Sequence, residues 1–317
     1  MYTSLPSRCS TGTVPFRMLR INQGMIGISS SLIAGFDKTH LKRYNTFTFA
    51  HKEAEEMYQH HLDSIEKMKE YFCGQEGVIA LVLGGSVAKG NERPDSDIDG
   101  MVIVTDEEFE RRKSQSKTAE CIMGHCTYPE GYFDVKYMTK DYISVAAEKA
   151  SEPTRNSFVK ARVLFSSDPE IEDIVARIGV FQERERDDKM LSFYGDCRLN
   201  HGYFIHDCKA EGYMRLHAVG EIIYSIYRMI LQENGILFQC NRRLEECVAA
   251  APMKPENIVA LGRAAAEKQD DASIDAFVKA YFDWSKYPFP DFGKAYSRYV
   301  TDFEQWWYVQ RPNVNEW

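Results

Sequence analysis

One stretch of the chain, Leu81 to Val104, restricts the possible folds more than any other part of the sequence. It reads LVLGGSVAKGNERPDSDIDGMVIV. An apolar run that starts at Val78 breaks at Gly84 and Gly85, and a polar loop leads to a second apolar run that carries two aspartates. Runs of this length bounded by glycine and turn residues predict two strands. Folding alone explains the aspartates poorly, whereas phosphate and metal chemistry explain them well.

The two aspartates are Asp97 and Asp99, and their spacing places them on the same face of a strand. Their Cα atoms are then roughly 6 to 7 Å apart, so both carboxylates can serve one divalent ion or a close pair of ions. Aspartate is depleted in strands, and like charges repel, which disfavours a purely structural role. Hard oxygen ligands of this kind favour Mg²⁺ or Mn²⁺.

The turn before the polar loop has the composition of a phosphate-binding turn. Gly84 and Gly85 allow the backbone to approach an anion closely, and Ser86 offers a hydroxyl and an N–H at the start of a short helical turn that we expect to end at Lys89. A glycine pair after a strand is most often only a turn. Combined with the aspartates that follow, it predicts a seat for the triphosphate of an NTP.

Gly84-Gly85-Ser86, ten further residues and Asp97-Ile98-Asp99 together resemble the signature of the DNA polymerase beta-like nucleotidyltransferase superfamily. The resemblance is greatest to its small-molecule branch, which includes the aminoglycoside nucleotidyltransferases, and it is specific over residues 77–104. It implies transfer of a nucleoside monophosphate from an NTP to a hydroxyl, with three carboxylates and a divalent metal. Gly100 departs from the pattern, because the family usually has an apolar residue there.

The resemblance also implies a third carboxylate on a later strand, and the sequence offers Asp134. The segment Gly131–Met138 is strand-like and places Asp134 and Lys136 on the same face. Asp97, Asp99 and Asp134 are therefore the predicted catalytic and metal-binding residues. Lys136 either contacts the phosphates or pairs with a carboxylate.

Composition narrows the class of protein. The chain has 317 residues, of which 44% are apolar and 27% charged, as in an ordinary globular protein with room for two domains. The absence of an apolar run of about 18 residues argues against a membrane span. The formal charge of -8 argues against general nucleic-acid binding and is compatible with a cationic small substrate.

The cysteines favour a reducing compartment. Eight of them are scattered without a C-x-x-C pair or a secretory signal, so we expect reduced thiols in the cytoplasm. Cys121, His125 and Cys126 lack the paired spacing of a structural zinc site, and we reject that interpretation.

Residues 1–45 are predicted to be an N-terminal extension or a disordered segment. The first 36 residues contain no acidic residue and several arginines, serines and threonines. This composition matches an organellar transit peptide, a disordered tail or an upstream start codon, and we favour the last two.

Residues 46–180 are predicted to form an α+β nucleotidyltransferase domain with a small mixed sheet. Helical spacing covers residues 51–72, where His60 and His61 are read as surface and boundary residues that face apart. Thr105 to Glu108 has the form of a capping box. Four strands and three helices, counting the first, alternate up to about Phe165.

Residues 181–317 are predicted to form a helical bundle domain that binds the acceptor in a cleft between the domains, as the resemblance implies. Six segments have helical apolar periodicity. The longest has a stripe that we expect to be buried; its members are Leu216, Val219, Ile223, Ile226 and Ile230.

Two polar residues of the same segment are candidate acceptor ligands. Glu221 lies within an otherwise apolar turn, where it is either a general base for the acceptor hydroxyl or a partner of Arg215 or Arg228. His217 lies one turn away and has the same two interpretations.

The sequence therefore predicts metal-dependent transfer of a nucleoside monophosphate from an NTP, ATP being our first choice, to a hydroxyl of a small aminoglycoside-like molecule. Three alternatives stay open. The acceptor is a protein, or an RNA end is extended, or the chain is a catalytically inactive nucleotide sensor. The acidic charge disfavours RNA, and possession of all three carboxylates disfavours a sensor.

Overall fold

The computed structural model describes residues 57–309. The predicted N-terminal extension, 1–45, and the first residues of the predicted helix over 51–72 lie outside this range. No helix among the described residues is long and apolar enough to cross a membrane.

Five strands form one mixed sheet in the first half of the described chain. Its strand order is β3-β4-β2-β1-β5. The neighbours β2 and β4 run parallel, whereas the other adjacent pairs are antiparallel. The strands are β1 (Val78–Leu83), β2 (Ile98–Val104), β3 (Ala119–Met123), β4 (Tyr132–Thr139) and β5 (Arg162–Ser166).

Six helices accompany the sheet. They are α1 (Gln59–Phe72), α2 (Gly85–Lys89), α3 (Asp106–Ser114), α4 (Lys140–Lys149), α5 (Glu152–Ser157) and α6 (Ile171–Ile178). The predicted N-cap of α3 is confirmed, because the Thr105 hydroxyl accepts a hydrogen bond from the Glu108 N–H at 3.3 Å.

The period-two alternation of the strands gives the sheet two buried faces. One face, with Leu81, Ile98 and Val102, packs against the apolar side of α1. The other, with Val82 and Met101, packs against α4 and α6. Because both faces are covered, the two apolar runs of the sequence read as almost continuous hydrophobic strands.

Two elements of this half were not expected from the sequence. β3 lies between the predicted helix that Thr105 caps and the predicted strand of Asp134, where we expected no strand. It is an edge strand whose side chains alternate between exposed and half-buried, so its apolar periodicity is weak. α5 is a single short helix with a proline in its first turn.

The second half of the described chain is helical. Its main elements are α7 (Arg186–Arg198), a π-helix (Leu199–Asp207), α8 (Gly212–Asn234), α9 (Asn241–Ala250), α10 (Ile258–Lys268), α11 (Asp271–Trp284), α12 (Phe292–Tyr299), a second π-helix (Val300–Glu304) and α13 (Trp306–Val309). One hydrophobic core runs through the helices from α7 to α12, with the central part of α8 at its middle.

The buried stripe of α8 differs from the predicted one at its first member. Val219, Ile226 and Ile230 are buried as expected, and Ile223 is partly buried. Leu216 is 56% exposed, because the first turns of α8 lie at the surface of the bundle. The periodicity alone gives no indication of where along a helix the packing begins.

The fold class is confirmed: a mixed sheet with helices is followed by a helical region. The predicted boundary between residues 180 and 181 stays a prediction.

Candidate active site

Three carboxylates from β2, β4 and the loop before β2 meet at one point. Asp99 and Asp134 are register partners on the parallel strands β2 and β4, so their side chains lie side by side. Asp97 is the last residue before β2. Oxygen atoms of all three carboxylates lie within 4.8 Å of one another, and all three residues are half-buried.

The three aspartates concentrate negative charge in a partly desolvated region. Burial, followed by repulsion from Asp97 and Asp134, raises the pKa of Asp99 to about 6, against the opposing effect of Lys136 and Lys89. A cation at this point relieves the repulsion. Three hard oxygen ligands at these separations suit a divalent ion such as Mg²⁺ or Mn²⁺, so the residues present fit the metal that the sequence predicted.

The turn after β1 is shaped around Asp99. Gly85 has a φ of +66°, and a Cβ atom there would lie 1.7 Å from Oδ2 of Asp99. The N–H of Gly84 donates to the Asp99 carbonyl oxygen at 3.0 Å, which fixes the turn to the strand. Glycine is therefore required at position 85 by both the backbone conformation and the close approach of the carboxylate. The expected short helix after this turn is α2, which contains Ser86.

Gly100, where the sequence departs from the family pattern, also has a steric reason. A Cβ atom at this position would lie 2.9 Å from Sδ of Met68. The missing side chain allows α1 to pack closely on β2 beside the carboxylates.

Lys136 pairs with a carboxylate. Its Nζ lies 3.5 Å from Oδ2 of Asp134, and its side chain is 54% exposed. The pairing of Lys136 with a carboxylate is therefore seen, and its contact with phosphates stays a prediction.

The loop that carries Asp97 is held by aromatic residues. The Tyr128 hydroxyl donates to the Ser96 carbonyl oxygen. The negative charge of the neighbouring Asp97 raises the pKa of Tyr132. His60 Nε2 lies 3.0 Å from the Pro94 carbonyl oxygen. These contacts position Asp97 without a strand around it.

The expectation that His60 and His61 face apart was wrong. Their ring centroids are 4.3 Å apart, because both rings turn toward Tyr128. His61 is fully buried rather than at the boundary.

The carboxylates line a cavity of about 900 Å³. One wall comes from the sheet half and contains Gly85, Ser86, the three aspartates, Lys89, Arg93 and Lys136. The opposite wall comes from the segment that leads into α9 and from its first turns, with Gln239, Cys240, Arg242, Arg243 and Glu246. This volume is in the upper part of the range of ligand-binding pockets.

Residues 65–153 match the family model described as the nucleotidyltransferase domain. The chain carries a nucleotidyltransferase domain. The match includes all three aspartates and the glycine turn, although it covers less than a third of the 317 residues. It confirms the prediction that the chain is a nucleotidyltransferase.

Two solved structures are similar to the chain over most of its length. A nucleotidyltransferase-like protein from Exiguobacterium sibiricum 255-15 is 11% identical, with 79% of this chain and 81% of that chain covered and a TM-score of 0.39. Spectinomycin adenyltransferase AAD(9) from Enterococcus faecialis, solved with ATP and spectinomycin, is 12% identical, with 70% and 99% covered and a TM-score of 0.24. At these identities and TM-scores the two alignments indicate neither the fold nor the substrate of this chain. No curated protein matches the chain.

Several residues that line the cavity were not predicted as site residues from the sequence. Lys89 donates from Nζ to Oδ1 of Asn156 at 2.6 Å, and burial lowers its pKa. Arg243 pairs with Glu246 on α9. The run NRRLEE at the start of α9 has an unusual density of charge, but no sequence signal connects it with aspartates more than a hundred residues earlier.

Glu221 and His217 do not line this cavity. Glu221 hydrogen-bonds to the fully buried Asp196 of α7, and His217 Nδ1 lies 3.9 Å from Oε1 of Glu221. Burial, followed by the charge of Glu221, raises the pKa of Asp196. Glu221 therefore contacts Asp196 and His217 and does not line the cavity, and the acceptor role of Glu221 and His217 stays a prediction.

Arg215 and Arg228, the two suggested partners of Glu221, each donate to a carboxylate on another element, and a pairing with Glu221 stays a prediction. Arg215 donates to Asp271 at 2.7 Å, and Arg228 donates to Glu152 at 3.3 Å.

Proposed function

We propose that this protein transfers a nucleoside monophosphate from an NTP, with ATP as the first candidate, to a hydroxyl group of a small molecule bound in the 900 Å³ cavity. The observation that carries the proposal is the convergence of Asp97, Asp99 and Asp134 within 4.8 Å, beside a glycine turn that faces the same cavity. These are the parts that metal-assisted attack of a hydroxyl on a phosphate requires.

Asp97 and Asp99 are the proposed ligands of a divalent ion, Mg²⁺ or Mn²⁺, which neutralises charge on the phosphates when bound. Gly85 and Ser86 hold the β and γ phosphates with their backbone N–H groups and the serine hydroxyl. Asp134 accepts a hydrogen bond from the acceptor hydroxyl and orients its oxygen toward the α-phosphorus. The new P–O bond forms as the bond from the α-phosphorus to the β-phosphate oxygen breaks; pyrophosphate leaves, and the hydroxyl proton passes to Asp134 and from there to solvent.

Positioning and charge supply most of the rate enhancement in this reaction class. Lys89 and Lys136 lie close enough to the aspartates to affect the pKa of Asp99, so they also offer positive charge to the phosphates. The positive charges of these two lysines partly offset the charges of the aspartates. A uniformly acidic cavity would repel an NTP.

The residues of the opposite wall support the proposed acceptor class. Arg242, Arg243 and Glu246 there offer hydrogen-bond donors and one carboxylate to a polar molecule. Together with Asp95 at the cavity edge, Glu246 favours an acceptor that combines hydroxyl groups with amino groups, such as an aminoglycoside-like compound. Cytoplasmic location, which the cysteines predicted, remains part of the proposal.

The test is to incubate the full chain with each α-³²P-labelled NTP, MgCl₂ and a panel of hydroxylated amines. We expect label to pass from one preferred NTP to a small product, with release of pyrophosphate, and we expect Asp134→Asn to lose this transfer. Equal labelling by Asp134→Asn would reject the site.

The same experiment separates the alternatives. Label that migrates with a protein on a denaturing gel identifies a protein acceptor. Tight NTP binding by calorimetry without any transfer identifies a nucleotide sensor, and either result rejects the proposed small acceptor.

A further inference from the structure

Two histidines and an aspartate meet on the helical bundle, among residues outside the lining of the nucleotide cavity. His201 and His206 belong to the π-helix Leu199–Asp207, and Asp275 belongs to α11. Nε2 of His201 lies 2.7 Å and Nε2 of His206 lies 2.8 Å from Oδ1 of Asp275, and the two Nε2 atoms are 3.2 Å apart. We propose that this His201–His206–Asp275 cluster is a binding site for Zn²⁺.

The three short contacts conflict as hydrogen bonds. A neutral imidazole nitrogen carries either one proton or one lone pair. If both Nε2 atoms donate to Asp275, the contact between them joins two donors. If one Nε2 atom accepts a hydrogen bond from the other, its lone pair faces the carboxylate oxygen of Asp275, and two acceptors are then in contact. A single cation between the three atoms resolves the conflict, because each atom then contributes a lone pair.

The separations also fit the size of the ion. A point about 1.2 Å out of the plane of the three atoms lies about 2.05 Å from each of them, which is the usual zinc–nitrogen and zinc–oxygen distance. The ion would then have three protein ligands and an open position on the side away from that plane.

The π-helix is what brings the two histidines together. Residues five apart in an ideal α-helix point about 140° away from each other around the axis. In the π-helix the hydrogen bonds run between residues five apart, as in the bond from the Cys208 N–H to the Tyr203 carbonyl oxygen at 2.7 Å. This places His201 and His206 on the same side. Such helices are rare and occur often at functional sites.

The type of the ligand atoms indicates which metal the site would bind, and the exposure of the side chains allows an ion to reach it. Imidazole nitrogen favours Zn²⁺ and its late first-row neighbours over Mg²⁺, whereas the three aspartates of the nucleotide cavity present only hard oxygen. The side chains of His201, His206 and Asp275 are 16%, 31% and 50% exposed, so an ion can enter from solvent. When bound, Zn²⁺ would join the π-helix to α11.

The experiment is calorimetric titration of ZnCl₂ into the metal-stripped full chain, with excess MgCl₂ present to occupy the aspartates. We expect the wild type to bind one more equivalent of Zn²⁺ than His206→Ala binds. The affinity of this site for Zn²⁺ should be at least about tenfold lower in the variant. His217→Ala is the matched control, because His217 is an exposed histidine on α8, and it should bind as the wild type does.

Asp275→Asn separates metal binding from a purely structural role. Asparagine keeps the size of the side chain and a carbonyl oxygen that accepts from either histidine, but it loses the anionic ligand. We expect Asp275→Asn to keep the wild-type melting temperature without zinc and to lose most of its increase with zinc. Wild-type zinc binding in both His206→Ala and Asp275→Asn, or no zinc binding by the wild type, overturns the proposal. Co²⁺ in place of Zn²⁺ should give visible absorption bands that the His206→Ala variant lacks.

Discussion

Buried carboxylates serve opposite purposes in two regions of this molecule. In the nucleotide cavity, Asp97, Asp99 and Asp134 crowd together and repel one another. Glu152 of α5 is fully buried, yet it receives hydrogen bonds from groups that reach it from several elements. Its donors are Lys189 Nζ at 3.0 Å, Arg228 Nη2 at 3.3 Å, Gln232 Nε2 at 2.6 Å and the Phe238 N–H at 2.9 Å.

The difference teaches that the partners of a buried carboxylate, rather than its burial, decide its role. Glu152 connects the sheet half to α7 and α8, so its charge is compensated within the protein and contributes to the fold. The aspartates of the cavity are compensated only in part, by Lys136 and Lys89, and the remaining repulsion is relieved when a cation binds. The first arrangement serves stability and the second serves binding.

The largest effect is expected at Glu152. Glu152→Ala removes the carboxylate that Lys189 and Arg228 share in the interior, so the free energy of unfolding should fall by about 3–5 kcal/mol. Urea denaturation measures it. Glu148→Ala is the control, because the Glu148 side chain is 63% exposed and pairs with Arg177 at 3.4 Å, and it should cost less than about 1 kcal/mol. Similar losses in both variants would remove the distinction between the two regions.

At Asp97 we expect a loss of activity without a loss of stability, in contrast to Glu152. Asp97→Asn should reduce nucleotidyl transfer by about 10²–10³-fold, since a ligand of the charged centre is lost. Its free energy of unfolding without metal should be unchanged or higher, because one of three like charges is gone. Asp63→Asn, an exposed aspartate on α1, should change neither quantity. A destabilised Asp97→Asn would mean that the cavity aspartates also support the fold.

The pH dependence of stability sharpens the comparison. The pKa of Asp99 in the folded chain, about 6, lies above its ordinary value, so the folded state binds this proton more tightly than the unfolded state. The resulting stabilisation is complete below about pH 4 and is lost as the pH rises through about 6. With a chelator present, the free energy of unfolding should fall by about 1–3 kcal/mol across this window. Asp99→Asn should flatten the curve, and an unchanged slope would contradict the assignment.

The smallest effect is expected at Ser86. Ser86→Ala should weaken NTP binding about fivefold, or about 1 kcal/mol, through loss of one hydroxyl contact, with the fold intact. Calorimetry measures the affinity. Ser114→Ala, at the exposed end of α3, is the matched control. Equal NTP affinity in the wild type and Ser86→Ala would exclude the hydroxyl from the phosphate seat.

The part of the site that lies on the sheet could be predicted from the sequence, because the relevant signals are local. Strand alternation placed Asp99 on a definite face, and the glycine pair marked a turn whose φ at Gly85 only glycine accepts easily. Asp134 was found through the resemblance, and the parallel register of β2 and β4 then placed it beside Asp99. Edge strand β3 and helix α5 were missed, because short exposed elements contain little apolar periodicity.

Taken alone, the sequence determined the α+β class, the glycine turn and the pair of aspartates, since period-two alternation and backbone preference act over a few residues. Only the tertiary structure showed which residues lie opposite the three aspartates. Arg242, Arg243 and Glu246 of α9 line the other side of the cavity, whereas Glu221 and His217 do not line it. The tertiary structure also decided that Glu152 is enclosed by donors and that a π-helix brings His201 to His206. Contacts between residues far apart in the chain depend on how whole elements pack, and helical periodicity reports which side of a helix is apolar but not which neighbour that side meets.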